Sequence, residues 1–154
     1  MYTKDDVADH KMVDGVKITL TESEREAIAA EWNENMRVTA EDISAIRYEH
    51  EVSGTTFTHS DGNTYGIGTD RQSQALVTGA AVQARRAQEA GHTDWSKRWK
   101  TAQGFVSMAA DDVLAMGDAV DAHVQAAFDR EAELAEKVAD GTITEDDLAS
   151  GWTE

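Results

Sequence analysis

The sequence predicts an α+β fold, in which short β-hairpins pack against a long C-terminal helix. Three observations lead to this prediction: turn signals between β-prone segments, repeated helix start signals, and an apolar pattern at helical spacing from about residue 107 to residue 140. A strand and a helix precede this domain as an N-terminal arm. We therefore expect a docking or oligomerisation segment over residues 1–40 and an α+β domain over residues 41–154.

The N-terminal arm combines one short extended segment with one helix. Residues 16–20 alternate apolar and polar side chains, which is typical of a strand or an extended arm. Thr21 and Glu24 then form the capping-box pattern that begins a helix. Since most of this helix is charged, polar or alanine, we expect its narrow apolar stripe to lie on a larger surface. The stripe has one residue every four positions: Ile28, Trp32 and Met36.

Two further helix starts follow. Residues 39–42 repeat the start signal, although residues 48–52 fit either a helix or a strand. Thr69 and Gln72 form another capping box, with Thr69 as the N-cap. Gly79 lies inside this helix and is expected to permit close packing of a neighbour. The predicted apolar side of the helix consists of Leu76, Val77, Ala80, Ala81 and Ala84.

Two hairpins are predicted from their turns. The Asp61-Gly62 pair separates the β-prone residues 55–58 and 64–67, and Asp-Gly favours the positive φ angles of a tight turn. Gly104 is the expected turn of a second extended pair within residues 95–106. The long helix is then expected to begin at Ser107.

The charge of the chain excludes several classes of function. Its formal net charge is −16, from 14 Lys and Arg residues against 30 Asp and Glu residues in 154. Such a surface repels phosphate backbones and anionic lipid, so we expect no nucleic-acid partner and no membrane partner. The chain has no cysteine, which excludes disulfides and thiolate nucleophiles. We interpret the acidic positions of the long helix as a solvated face: Glu131, Glu133 and Glu136.

The residue types that most often bind metals or catalyse reactions form no recognisable motif. The five histidines never fall at a metal-ligand spacing with each other. His50, between two glutamates, and His59, two residues before Asp61, are weak metal candidates, and an exposed histidine is the simpler interpretation. His123 is expected to be partly buried and hydrogen-bonded. We therefore predict no catalytic residues, no cofactor and no metal site.

Residues 95–100 form a basic and aromatic cluster. Its tryptophans could stack on a sugar, a single strand or an acidic partner, but amphipathic tryptophans also pack a hairpin against a helix, and we favour packing in a core or interface. The candidate partner-interface residues of the whole chain are Ile28, Trp32, Met36, Trp95, Trp99 and Trp152.

Several short blocks, taken in order, resemble a known family. They are RYEHE at 47–51, TDRQSQA at 69–75, WKTA and GFV within 99–106, and HVQAAFDREA at 123–132. Over residues 41–152 the chain resembles a domain of unknown function that is common in phages and prophages, in tail-associated proteins near tail fibres and their assembly proteins. The resemblance implies no catalytic residues.

From this resemblance we expect a non-enzymatic virion protein of the tail, tail tip or fibre attachment. Its expected partners are other tail or fibre proteins and further copies of itself, and its expected locations are the virion and, during assembly, the host cytoplasm. An alternative is a chaperone for tail or tail-fibre assembly that is absent from the mature particle. An enzyme acting on cell-surface glycan is a third hypothesis, which depends only on the tryptophans and the abundant carboxylates.

Overall fold

A computed structural model describes residues 1–35 and 37–152 of the chain. It divides into two compact units, residues 1–39 and residues 40–154. The predicted α+β class is confirmed, since antiparallel hairpins combine with helices, including a long one near the C-terminus. Met36 lies outside the described residues, so the last position of the N-terminal stripe has no structural account.

The N-terminal unit contains a β-hairpin followed by a helix. The elements are β1 (His10–Val13), β2 (Val16–Thr19) and α1 (Glu22–Asn35). Asp14 and Gly15 form the turn, and both have positive φ angles, 49° and 79°, as a tight hairpin requires. The extended segment predicted at residues 16–20 is confirmed as β2. Its partner β1 was not predicted, because residues 10–13 do not alternate apolar and polar side chains.

The start of α1 follows the predicted capping box. The backbone N–H and the hydroxyl of Thr21 each donate to Glu24 at 2.8 Å, and the Glu24 N–H donates back to the Thr21 hydroxyl at 3.3 Å. A small core lies beneath the helix, where Ile28 packs against the buried side chains of Val7, Leu20 and Ala29.

The second unit consists of four helices and two antiparallel hairpins among its described residues. The hairpins pair Phe57 with Tyr65 and Trp99 with Val106, so both predicted hairpins are confirmed. The elements are α2 (Ala40–Glu51), β3 (Thr55–Thr58), β4 (Thr64–Ile67), α3 (Arg71–Glu89), β5 (Ser96–Thr101), β6 (Gly104–Ala109), α4 (Ala110–Ala139) and α5 (Glu145–Ala149).

The main core lies where α3, α4 and the two hairpins meet. Small residues of α3 allow α4 to approach closely, and the hairpins cover the rest of the cluster. On its other side α4 packs against α2. The buried residues of this core are Phe57, Ile67, Val77, Ala80, Ala84, Met108, Val113, Met116 and Val120.

Two predicted features of α3 are wrong. Leu76 is 58% exposed, because the core reaches only the face that carries Val77, Ala80 and Ala84. A side chain at Gly79 would meet open space, so this glycine does not serve close packing. On α4, a Cβ atom added at Gly117 would lie 3.6 Å from the Cβ atom of Ala81, which is an ordinary contact distance, so α3 and α4 face each other at this position.

Two predicted helix starts are also displaced. The N-cap of α3 is Asp70, whose carboxylate accepts from the N–H groups of Gln72 and Ser73 at 3.0 and 3.1 Å. Thr69 is instead buried, and its hydroxyl accepts from the Gly54 N–H. The long helix begins at Ala110, because residues up to 109 still pair with β5.

Candidate functional site

A network of charged side chains joins α2 to α3, and the buried Glu51 lies at its centre. This side chain is 0% exposed, at the last position of α2. Arg71, at the first position of α3, meets it with a fork, Nε and Nη2 each lying 3.1 Å from one carboxylate oxygen. The Gln74 amide donates to Glu51 Oε1 at 3.0 Å and to the carbonyl of Thr69 at 2.7 Å. The end of one helix is therefore bonded to the start of the next.

The same network extends from α2 to α4 through Arg47. Its guanidinium pairs with Glu51 on one side and, through Nε at 3.1 Å, with Glu131 on the other. Glu131 also accepts a hydrogen bond from Ser44, and the guanidinium carbon of Arg47 lies 4.6 Å from the centre of the Phe128 ring. Two cations and two anions thus balance around Glu51, the one fully enclosed member of the cluster, whereas Arg71 is exposed. Glu131 was wrongly interpreted as part of a solvated face.

A second polar cluster fastens the first hairpin of this unit to α4. The Asp112 carboxylate accepts from the N–H groups of Ser60 at 2.9 Å and Ala109 at 3.0 Å. His59 Nε2 lies 3.2 Å from the same carboxylate and 3.2 Å from the carbonyl of Ser107. His59 is buried, so the expectation of an exposed histidine was wrong.

The hairpin turn is closed by Asp61. Its carboxylate accepts from the Asn63 N–H at 2.8 Å and from the Tyr65 hydroxyl at 3.0 Å. These bonds, chiefly the one from the Asn63 backbone, lower the pKa of Asp61 to about 2. The bond to Asp61 raises the pKa of the Tyr65 hydroxyl. Turn chemistry therefore explains Asp61, as the sequence predicts.

The C-terminal segment is held by Arg130 and His50. Arg130 Nη2 donates to the carbonyls of Asp147 and Ser150 at 2.8 and 3.0 Å. Trp152 stacks on His50 with ring centres 4.7 Å apart and planes within 4° of parallel. Its indole N–H donates to the carbonyl of Leu148 at 2.8 Å. Trp152 is therefore engaged inside the domain.

An open groove of about 520 Å³ runs between α3 and α4. The α4 side carries Asp118 and Asp121, and the α3 side carries Arg85, Arg86 and Glu89. Its apolar lining residues are Val77, Ala81, Val82, Leu114, Val120 and Val124. The groove therefore offers an apolar floor between charged rims.

The outer face of the β5–β6 hairpin is the most exposed aromatic surface of the described chain. Phe105 is 73% exposed and lies directly opposite Lys100 in the strand pairing. Arg98 lies on the same face, two residues before Lys100. Trp95 and Trp99 are half-buried and pack against the main core, so this face consists of two cations around a phenylalanine, without the tryptophans.

The N-terminal unit exposes a further apolar surface. Val13 and Val16 are cross-strand partners, and Ile18, two residues further, shares their face; all three are exposed. Trp32 is 38% exposed and meets the ring of Tyr2 edge-on at 5.2 Å. Ile28 of the predicted stripe packs inside this unit. Trp32 of the same stripe contacts Tyr2, whose side chain is also exposed.

The predicted interface residues belong to different elements of the two units. Ile28 and Trp32 belong to the N-terminal unit, Trp95 and Trp99 lie beside the main core, and Trp152 closes the C-terminal segment. The exposed Phe105 and the α3–α4 groove were not predicted from the sequence. Two signals in the sequence could have indicated Phe105. Phe105 lies on the strand face opposite to the apolar Val106 and Met108, and its strand pairs with the basic strand.

Among residues 1–35 and 37–152, no group of three or more His, Asp or Glu side chains is arranged to hold a metal ion. In the same part of the chain, every helix is too short or too polar to cross a lipid bilayer.

The fold and its polar clusters define a small α+β domain in which ion pairs around the buried Glu51 hold the helices and apolar surfaces remain outside. Residues 35–150 match the family described as Domain of unknown function (DUF4376). This match covers most of the chain, so the chain belongs to that family. The resemblance to a domain of unknown function is confirmed at this level. Comparison with curated proteins and with solved structures gives no significant match.

Proposed function

We propose that this protein is a non-enzymatic structural component of a phage virion, in the tail, the tail tip or the fibre attachment, and that it acts through protein–protein contacts. One observation carries the proposal: charged side chains hold the helices to one another, while large apolar side chains remain outside. Arg47 bonds to Glu131 on α4 and Glu51 bonds to Arg71 on α3, whereas Phe105 and Leu76 are exposed. A fixed framework that presents apolar surface is suited to docking.

The assignment to a phage tail is supported by the sequence resemblance. The blocks that carry it coincide with parts of the framework: the first contains Arg47 and Glu51, the second contains Arg71 and Gln74, and the last contains Glu131. Their side chains bond to each other, so these blocks maintain one geometry. The partners proposed are other tail or fibre proteins and further copies of this chain, in the virion and, before assembly is complete, in the host cytoplasm.

Mass spectrometry of purified particles tests this role. Particles of the encoding phage or induced prophage would be banded on a density gradient, and each protein would be quantified against the major tail protein. We expect the chain in a constant ratio to the tail protein across the band. Its presence in the lysate, together with its absence from intact particles, would contradict the virion role.

The second candidate is a chaperone for tail or tail-fibre assembly. The net charge of −16 favours it, because a strongly acidic body keeps a sticky client dispersed. This candidate predicts that the chain co-purifies with a tail or fibre protein from lysates and is lost from the finished particle. The same gradient, assayed for free complexes and particles, distinguishes the two roles.

A further inference from the structure

The outer face of the β5–β6 hairpin has the properties of a protruding contact. Phe105 is flanked by Lys100, its cross-strand partner, and by Arg98 on the same face. Within the described part of the chain, neither cation forms an ion pair with a carboxylate. An exposed aromatic ring beside unpaired cations fits an apolar recess with an acidic rim.

Such a recess exists on the same unit. The groove between α3 and α4 has an apolar floor that includes Val82 and Leu114, and all the charged lining residues on its α4 side are acidic: Asp118 and Asp121. Both aspartates are exposed. Its volume, about 520 Å³, lies within the range of clefts that receive apolar groups, ~300–1,000 Å³.

We propose that copies of this chain associate head to tail through these two surfaces. Phe105 of one copy inserts into the α3–α4 groove of the next, and Arg98 and Lys100 pair with Asp118 and Asp121 of that next copy. The α3 side of the groove carries two cations, Arg85 and Arg86, and one anion, Glu89, so the basic face of the hairpin turns toward the aspartates on α4. Charge complementarity selects this occupant.

A second copy of this chain fits this groove better than a different protein with an acidic surface would. The rest of the chain is strongly acidic, and the contact brings its aromatic basic face against the acidic rim of a copy. The two surfaces differ and lie on one unit, so the contact is heterologous. Successive heterologous contacts generate rings when the rotation closes and filaments when it does not.

The inference deepens the proposed function, on which its biological meaning rests. The two are tested separately. Particle mass spectrometry decides the virion role, whereas solution association decides the contact. A chain that is stoichiometric in particles but monomeric in solution overturns only the contact, and a chain that associates but is absent from particles overturns only the role.

Sedimentation velocity of the full chain, over a concentration series up to millimolar, is the first test. We expect the average sedimentation coefficient to rise with concentration. Phe105→Ala should lower the association constant about tenfold or more, because a central aromatic anchor dominates such contacts. Met12→Ala, which truncates an exposed residue of the N-terminal hairpin, is the matched control and should change nothing. Circular dichroism verifies that both variants fold.

Charge reversal provides the second test. R98E/K100E places acid against acid, and D118K/D121K places base against base, so each variant alone should remain monomeric. An equimolar mixture restores complementary pairs in both directions and should associate as the wild type does. K11E/K17E and E26K/E136K change the net charge equally at exposed positions elsewhere and should behave as the wild type.

Two results would overturn the proposal. One is a wild-type chain that stays monomeric at every concentration. The other is association that Phe105→Ala leaves intact or that the mixture of the two reversed variants fails to restore.

Discussion

The carboxylate of Glu51 is completely buried, and it pairs with the guanidinium of Arg47 one turn earlier on the same helix. Arg71 approaches that carboxylate from the next helix, and Glu131 approaches Arg47 from the long one. Removing a charge from water is costly, so each buried group depends on its partners. The pair therefore couples the positions of three helices.

Replacing Glu51 should weaken the domain strongly. Glu51→Gln removes the charge but keeps the shape, which leaves Arg47 with Glu131 as its remaining carboxylate and takes from Arg71 the carboxylate it meets. We expect a loss of about 3–5 kcal/mol in the free energy of unfolding, measured by urea denaturation. Glu49→Gln changes an exposed residue of the same helix and should stay within about 0.5 kcal/mol. Equal effects of the two substitutions would show that the network contributes little.

Asp112 should stabilise the junction of the hairpin and the long helix. Asp112→Asn puts an amide nitrogen where one of the two oxygens now accepts hydrogen bonds from Ser60 or Ala109. We expect a loss of about 1–3 kcal/mol, because a buried donor is left unsatisfied. Asp118→Asn, on the exposed surface of the same helix, is the control, and thermal unfolding compares them. A stable Asp112→Asn variant would contradict this assignment.

A side chain at Gly151 should cost more stability than one at Gly141. Its φ angle is +79°, and a Cβ atom there would lie 2.9 Å from the guanidinium carbon of Arg130, which holds the C-terminal segment. Gly141 also has a positive φ, +66°, but open space around it. Gly141→Ala should cost roughly 1–2 kcal/mol from backbone strain alone. Gly151→Ala should cost more and should reduce the hydrogen-exchange protection of α5, whereas equal costs would contradict the clamp.

Acidification should weaken the attachment of α5 through Asp147. Its carboxylate accepts from Lys137 and Thr144, and the Lys137 bond is the largest of the causes that lower its pKa from 3.8 to about 2. A carboxyl group with a lowered folded-state pKa stabilises the fold above its unfolded pKa. That contribution is lost as the pH falls from 3.8 toward 2.

Asp147→Asn should therefore be less stable than the wild type near neutral pH and should lose less stability across that acidic interval. Urea denaturation at several pH values measures both effects. Asp146→Asn, at the adjacent exposed position, should keep the wild-type slope. Parallel pH profiles for Asp147→Asn and the wild type would contradict the prediction.

Local signals predicted most of the helices and hairpins. The capping pair of Thr21 and Glu24 forms as the residue types indicate, because the two residues are three positions apart. The Asp61-Gly62 turn and Gly104 mark real hairpins for the same reason. The strand at residues 10–13 escaped prediction, since an exposed two-stranded hairpin needs no alternating pattern.

The candidate sites were less predictable because their partners are distant in sequence. Glu131 bonds to Arg47, 84 positions away, and nothing in its own neighbourhood distinguishes it from the solvated glutamates beside it. His59 is buried because Ser107 and Asp112 close around it. The indole of Trp152 faces His50, which no short pattern indicates.

The sequence by itself determined the fold class, the family and the acidic character of this protein, because composition, spacing and capping operate over a few residues. Only the tertiary structure decided which charges are buried and which apolar groups stay outside. Glu51 and Glu49 are two positions apart on one helix, yet one is enclosed and the other exposed. That difference is set by the helices that pack around them, and so by contacts that no local pattern encodes.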